Sequence, residues 1–518
     1  MTSIMPPTKI PPFRATGGDK QSTRRQPHAV VIGSGFGGLA AAVRLGARGY
    51  RVTVLEKCDS PGGRARMFRQ DGFSFDAGPT IITAPFLFDE LWAMCGRSLS
   101  DDVELRPVSP FYRIRFDDGE VFDYTGDADA MRLQVARFEP ADVAGYDRFL
   151  ETSKEACRIG FEDRGHVSFA RWQTMAAMIP EMLGANAHRS VASVVASHFR
   201  NKKLRTVFSF HSLLIGGNPF SVSAIYCLVA FLERQWGVHF AMGGTFSLVR
   251  GLIGLIEGQG SELRLNAEVA EIIVERGNAT GVRLVSGEHI HADIVVSNAD
   301  SAWTYRHLVA PQHRKRWTDR RIAKAKYSMS LFVWYFGTNR QYPDVAHHTI
   351  LLGERYKALL TDIFKNHVLS DDFSLYLHRP TATDTSLAPE GCDSFYVLSP
   401  VPHLDSGTDW AVRAESYRQS IARYLSATVL PGLEDAIVSS KVMTPQDFQD
   451  ELLSYKGAAF SLEPVITQTA YFRPHNKSEE VGNLFLVGAG THPGAGVPGV
   501  LSSARVLDEV VPHADALV

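Results

Sequence analysis

Gly33, Gly35 and Gly38 form a G-x-G-x-x-G spacing, and their surroundings give it meaning. Ala29 to Ile32 reads as a buried strand, Leu39 to Ala47 as a helix ending near Gly49, and Arg51 to Leu55 as a second strand closing on Glu56. A glycine turn between strand and helix is the setting in which this motif binds a dinucleotide. Gly33 permits the tight turn, Gly35 lets backbone approach a pyrophosphate, and Gly38 lets the helix pack closely on the strand. The free N–H groups and dipole of the helix N-terminus favour the anion. Glu56 is placed to accept hydrogen bonds from a ribose.

A nicotinamide enzyme shares these features, but the residues beyond Glu56 point to FAD. Pro61-Gly62-Gly63-Arg64-Ala65-Arg66 places two more glycines and a cation there, which suits an extended cofactor. Asp76-Ala-Gly-Pro-Thr80 comes next as a turn, and far downstream Gly488 to Gly499 is a glycine- and proline-rich turn before a helix around Ser503 to Val511. A helix N-terminus there sets a positive dipole near the pyrimidine edge of a flavin and favours its reduced, anionic form.

The elements that must hold these residues are far apart in the chain. Its 518 residues, 45% hydrophobic and 21% charged, indicate a folded protein of several units. A net charge of -2 provides no field for nucleic acid. Cys58, Cys95, Cys157, Cys227 and Cys392 are odd in number and scattered, so neither a zinc site nor a disulfide framework is expected, and a reducing compartment fits. Residues 1–27 read as a basic flexible arm without the apolar core of a secretory signal. The expected organisation is α/β: a Rossmann-like FAD-binding domain in three pieces (28–124, 236–300 and 481–518), interrupted by a helical region (125–235) and an α+β substrate domain (301–480). Asn278 and Gly281 are expected to punctuate a hairpin. Thr206 to Leu232 is long and uncharged, but Gly216-Gly217-Asn218-Pro219 breaks it into halves too short to span a bilayer. Two segments, Met175 to Leu183 and Phe220 to Phe231, are read either as core or as surfaces that meet a membrane or line a substrate tunnel. Seven bases against one acid between Arg314 and Lys326 read as a solvated helix face or a contact for anionic headgroups.

With these motifs in order, the chain resembles the bacterial-type phytoene desaturases of the flavin-dependent amine oxidase and carotenoid desaturase superfamily. The resemblance runs from about Val30 to Val506. It is carried by Val31 to Leu39, Pro61 to Arg64, Phe75 to Thr80, Phe210 to Pro219, Ser297-Asn-Ala-Asp300, Leu387 to Gly391, Ser399 to His403 and Phe472 to Asn476. Most specific is Val487 to Val500. It implies FAD held by Gly33, Ser34, Gly35, Phe36, Gly37, Gly38, Glu56, Gly62, Gly63 and Arg64, with the Val269 backbone on the adenine. Gly490, Thr491, Val497, Pro498 and Gly499 are implied at the flavin end.

The implied reaction removes a hydride and a proton from adjacent carbons of phytoene, repeatedly, toward neurosporene or lycopene. Such a hydrocarbon must be drawn from a bilayer, so a peripheral protein on the cytoplasmic face is expected, with quinone or oxygen as electron acceptor. A desaturase of hydroxy- or methoxyneurosporene or of a C30 chain is the nearest alternative. An amine or porphyrinogen oxidase and a prenyl-lipid carrier of the same fold are more distant ones. No catalytic acid or base is assigned: His211, His378, His403, His475 and His492 read as loop or core residues. Arg379 and Arg473 are not placed by the sequence, nor are the number of steps and the oligomeric state.

Overall fold

The computed structural model describes residues 25–517, so the basic arm expected over 1–27 lies almost wholly outside the described residues. A five-stranded parallel sheet forms the first layer, in the order Leu484–Leu486, Ile294–Ser297, His28–Ile32, Arg51–Leu55, Glu262–Arg264. The three central strands are unbroken apolar runs apart from Thr53 and the terminal His28, Arg51 and Ser297, the composition of strands covered on both faces. The helix Phe36–Ala47 packs against the helices Phe246–Gly258 and Val497–Arg505 and is buried from Phe36 to Leu45. Its run of small residues, Ala40 to Ala42, lets both neighbours approach closely. One layer is thus assembled from three stretches hundreds of residues apart.

A three-stranded antiparallel sheet, Val269–Glu275, Asn278–Leu284 and His289–His291, hangs beside it. The hairpin turn falls one step earlier than expected. Arg276 and Gly277 take left-handed backbone (φ 51 and 82), the geometry that matches strand twist in a two-residue turn. Gly281 instead lies within the strand, where a Cβ would stand 2.2 Å from the Ile290 carbonyl oxygen.

The second large sheet has seven strands in the order Ile437–Met443, Ser330–Thr338, Asp393–Val401, Leu375–His378, His348–Leu351, Tyr112–Arg115, Val121–Tyr124. Its last two strands fall within residues 28–124. They leave the first layer because Arg113 to Arg115 pair in parallel with Thr349 to Leu351, a long-range register that no local pattern announces. Helices between residues 128 and 236 cover one side. Buried Asp142 fixes their arrangement by accepting the backbone N–H groups of Arg200 (2.8 Å) and Asn201 (2.9 Å).

The uncharged run from Thr206 turns at Gly216, whose φ is +76. Among the described residues no helix is long and apolar enough to cross a membrane. In the segment after Phe220, Val222, Ala224, Cys227 and Ala230 are core residues. The basic run is only partly a helix, over Asp319–Lys324. Upstream, the Glu480 carboxylate accepts three successive backbone N–H groups, from Lys315, Arg316 and Trp317, at 2.6 to 2.7 Å. Arg314 is buried on Asp319 at 2.7 Å, and Arg316 lies 3.4 Å from Glu479. Glu479 and Glu480, distant in sequence, therefore hold the start of what read as a free basic face, and its own Asp319 pairs with Arg314.

Candidate functional site

A cavity of about 530 Å³ is lined from both large sheets. At its polar end Gly33, at φ +90, donates its N–H to the Leu55 carbonyl at 2.7 Å and turns the chain back across the strand ends. The Asn298 side chain is wedged into this turn. A Cβ at Gly35 would stand 2.9 Å from its Nδ2, and at Gly37 2.6 Å from its Oδ1. At Gly38 a Cβ would fall 2.1 Å from the Gly33 carbonyl oxygen. The cradle therefore exists only with bare backbone, the surface a pyrophosphate needs.

Glu56 is held at the rim. Its Oε2 accepts the Ser34 N–H at 2.9 Å and the Ser34 hydroxyl at 2.6 Å, and its Oε1 accepts the Cys58 N–H at 2.9 Å. A carboxylate fixed this way is positioned before any ribose arrives. Arg64 donates to Ser454 Oγ at 2.7 Å, while its buried Nε has no partner. Burial pushes the Arg64 pKa down against the pull of Asp300, and burial pushes Asp300 up. A half-buried arginine whose enclosed Nε lacks a partner, beside a glycine cradle, suits an anionic ligand.

Of the residues singled out in the sequence, Gly33, Ser34, Gly35, Phe36, Gly37, Glu56, Gly62, Gly63, Arg64, Val269, Val497, Pro498 and Gly499 line this cavity. Gly38, Gly490 and Thr491 stand behind its wall. Gly38 lies under the turn, and a Cβ at Gly490 would meet Ser301 Oγ at 2.3 Å. Thr491, fully buried, donates its hydroxyl to the Pro474 carbonyl at 2.6 Å. Asn298, Asp300, Gly488 and Ala489 also line the cavity; they belong to motifs that carry the resemblance, but the sequence assigns them no individual role in the site. The available signal was position: Asn298 directly follows the strand Ile294–Ser297, and ligands of open parallel sheets bind at the carboxyl ends of strands.

Away from the glycines the walls are apolar, with Leu213, Leu214, Val229, Leu331, Leu398 and Val500 among them. Helix Trp172–Gly184 contributes Met178 and Met182 to this lining. The polar exceptions are few. Glu233 accepts the Tyr112 hydroxyl at 2.6 Å and lies 3.2 Å from His211 Nε2. Asp76, beside the lining segment Ala77 to Thr80, accepts the Thr245 N–H at 2.9 Å, and burial pushes its pKa up to about 7.

The histidines have distinct settings. His475 Nε2 meets the Tyr471 carbonyl at 2.9 Å. His492 lines the cavity, meets the Arg164 carbonyl at 2.9 Å, and burial pulls its pKa to about 4. His403 is pulled to about 4 by burial. His378 packs with His347 and His348 into one buried cluster, a grouping absent from the local sequence pattern. Arg379 binds the Tyr342 and Val345 carbonyls, and Arg473 donates to the Leu462 carbonyl at 2.8 Å.

A phosphate-accepting glycine cradle opening into an apolar chamber defines an oxidoreductase whose dinucleotide meets a greasy substrate. The chain belongs to the flavin-containing amine oxidoreductase family, which matches residues 36–506. Over 94% of this chain and 95% of the relative it is 50% identical to a neurosporene-forming phytoene desaturase of Cereibacter sphaeroides. It is 47% identical to a lycopene-forming phytoene desaturase of Pantoea ananas (92% of this chain, 97% of the relative). It is 35% identical to a 4,4'-diapophytoene desaturase of a Methylomonas species (93% and 95%). Among solved structures, putrescine oxidase bound to putrescine matches with a TM-score of 0.63 at 15% identity, over 94% of this chain and all of that one, a likeness of fold. The protein is an FAD-dependent oxidoreductase.

Gly37→Ala brings a Cβ against Asn298 and to 3.0 Å from the Gly488 backbone nitrogen, so the purified protein should lose most of its 450 nm flavin absorbance. Gly254→Ala, on an open helix face, should keep it. Asp76 binds its proton more tightly folded than unfolded, so its contribution to stability falls as pH rises from about 4 to about 7. Asp76→Asn should therefore melt above the wild type at pH 8, with the gap narrowing at pH 5 in thermal scans.

Proposed function

We propose that this protein desaturates phytoene to neurosporene, lycopene or both. The carrying observation is an apolar chamber continuous with the FAD cradle, in a chain about half identical to phytoene desaturases. FAD, when bound, supplies the acceptor for a hydride. The protein's part is to bind, orient and keep water out. Gly33 to Gly38, Gly62, Gly63 and Arg64 hold the pyrophosphate region, Glu56 the ribose and the Val269 backbone the adenine. Val497, Pro498 and Gly499 present a helix N-terminus to the flavin end, with Gly490 and Thr491 setting that turn from behind. The apolar walls hold a substrate that has no polar handle and exclude water from a cationic polyene. The second reading, a C30 substrate, draws on the 35% identical diapophytoene desaturase.

A C40 chain prefers lipid to water by roughly 30 kcal/mol at about 0.8 kcal/mol per CH₂, so the substrate must come directly from a bilayer. Helix Trp172–Gly184 supports such a route. Its inner face lines the chamber through Met178 and Met182, while Trp172, Ile179 and Leu183, one helical face apart from them, are 62%, 50% and 54% exposed. Phe472, 43% exposed, neighbours Arg320, Arg321 and Lys324 on a shared surface depression. We assign this face to a membrane surface, in a peripheral protein on its cytoplasmic side that passes electrons to quinone or oxygen.

Anaerobic incubation with phytoene liposomes should bleach the flavin and yield pigments whose length counts the steps. FAD-loaded protein that binds phytoene without bleaching would overturn the assignment. Trp172→Glu with Ile179→Glu and Leu183→Glu should stop the protein floating with liposomes while leaving its flavin content unchanged. Continued flotation would remove this helix from the membrane face.

A further inference from the structure

Desaturation leaves a proton inside a chamber whose walls are almost wholly apolar, and such walls cannot hold a charge. Among the polar side chains that reach the chamber, one group stands on the seven-stranded sheet. Tyr376 and His378 are two apart on one strand and so share a face. His378 lies in register with His348 on one side and with Tyr396 on the other, which puts all four on that face. Ile350, Leu398 and Pro400, of matching parity on their own strands, line the chamber, as do Tyr376 and Tyr396.

These groups form two hydrogen-bonded runs, one ending at His348 and one running from His378 to Thr383, that meet within the histidine cluster. Tyr396 donates to the Gly78 carbonyl at 3.1 Å, and its oxygen lies 2.7 Å from Thr80 Oγ1. Thr80 Oγ1 is 3.2 Å from the Tyr376 hydroxyl, which lies 2.7 Å from His348 Nδ1. One ring nitrogen from each of His347, His348 and His378 lies within 4.8 Å of the other two. His378 Nε2 meets His347 Nε2 at 3.1 Å, and His347 Nδ1 meets Thr383 Oγ1 at 2.7 Å. Thr383 is only half-buried, whereas the three imidazoles are buried. His348 Nε2 and His378 Nδ1 find no partner among the described residues, which leaves both free to take or give a proton.

We propose that Tyr376 takes the proton released by the substrate and that His348, His378 and His347 carry it toward Thr383. This rests on the reading of the protein as a phytoene desaturase. Once the hydride has left, the neighbouring C–H bond breaks and its electron pair becomes the new π bond. The proton passes to the Tyr376 oxygen as the phenol's own proton moves to His348 Nδ1. His348 then releases its Nε2 proton to the open His378 Nδ1, and His378 passes its Nε2 proton to His347 Nε2. His347 passes its Nδ1 proton to Thr383 and solvent. The phenol and imidazoles end neutral, and the imidazoles reorient to restore their tautomers before the next turnover. Burial holds His347 to about 3 and His348 and His378 well below 6.5. Such weak bases still accept from a polyene cation, whose adjacent C–H is strongly acidic, and they do not retain the proton. Glu233 also reaches the chamber, but its partners Tyr112 and His211 are both fully enclosed and lead inward. A divalent ion on the three imidazoles fits less well, because two of their nitrogens are spent on each other.

The test compares FAD-loaded wild type, Tyr376→Phe and His348→Gln on phytoene liposomes, with FAD content, phytoene binding, product isomers and solvent deuterium effects measured alongside turnover. Tyr376→Phe removes one oxygen atom. It should slow polyene formation about 100-fold, the lower range for a lost general base. FAD and phytoene binding should stay intact, products should become mixtures of double-bond isomers, and the wild-type deuterium effect should disappear. His348→Gln should do the same, whereas Gly254→Ala, on an open helix face far from these groups, should retain wild-type behaviour. Variants at the wild-type rate with wild-type isomers would overturn the relay. So would loss of FAD or phytoene binding in Tyr376→Phe, or a stoichiometric metal in the purified protein. Wild type that makes no polyene would instead remove the desaturation reading itself.

Discussion

One carboxamide joins the cofactor domain. Asn298 stands within contact distance of Cβ positions at Gly33, Gly35, Gly37 and Gly38 on one segment and at Gly488 on another, while it belongs to a third. All three pieces of the parallel sheet therefore meet at a single side chain. The glycines are required less by their own backbone freedom, apart from Gly33 and Gly488 at φ +90 and +96, than by the volume Asn298 fills. Bare backbone and a fixed amide are two halves of one cradle, and the rest of the molecule is arranged to keep them opposed.

The opposing demand is dryness. An enclosure suited to a hydrocarbon destabilises every charge near it, and the polar groups at its edge carry that penalty visibly. Arg64 and Asp300 each move toward their neutral forms through burial, and Asp76 does so strongly enough to hold its proton near neutrality. Such groups persist in an apolar setting because each has at least one directed hydrogen bond: Asp76 accepts from the Thr245 N–H, Asp300 accepts from the Ala302 N–H, and Arg64 donates to Ser454.

What was legible in the sequence was local. The first strand, turn, helix and second strand follow from apolar runs, glycine spacing and the acid at position 56. The break at Gly216 follows from its own dipeptide. What stayed hidden depends on pairing across the chain. The strands Tyr112–Arg115 and Val121–Tyr124 join the substrate sheet through a partner more than two hundred residues downstream. Glu480 organises the backbone of Lys315 to Trp317 from a distance that no charge count reveals. Gly490 and Thr491 belong to a motif that points at the flavin, yet their side-chain positions face Ser301 and Pro474. The histidine cluster is assembled by strand register, so only the folded sheet shows that residues 347, 348 and 378 are neighbours.

The threading of the parallel sheet also sets an order of events during synthesis. His28–Ile32 leaves the ribosome long before its neighbour Ile294–Ser297 and the outer strand Leu484–Leu486. At about 5–20 residues per second, the roughly 450 residues between Ile32 and Leu484 take about 20 to 90 seconds to make. The seven-stranded sheet gives no earlier refuge, since it spans Tyr112 to Met443. For most of that time one edge of His28–Ile32 has its partner in Arg51–Leu55 while the other edge waits for Ile294–Ser297. The cofactor cradle closes only once Leu484 to Leu486 and the turn that follows them have been made.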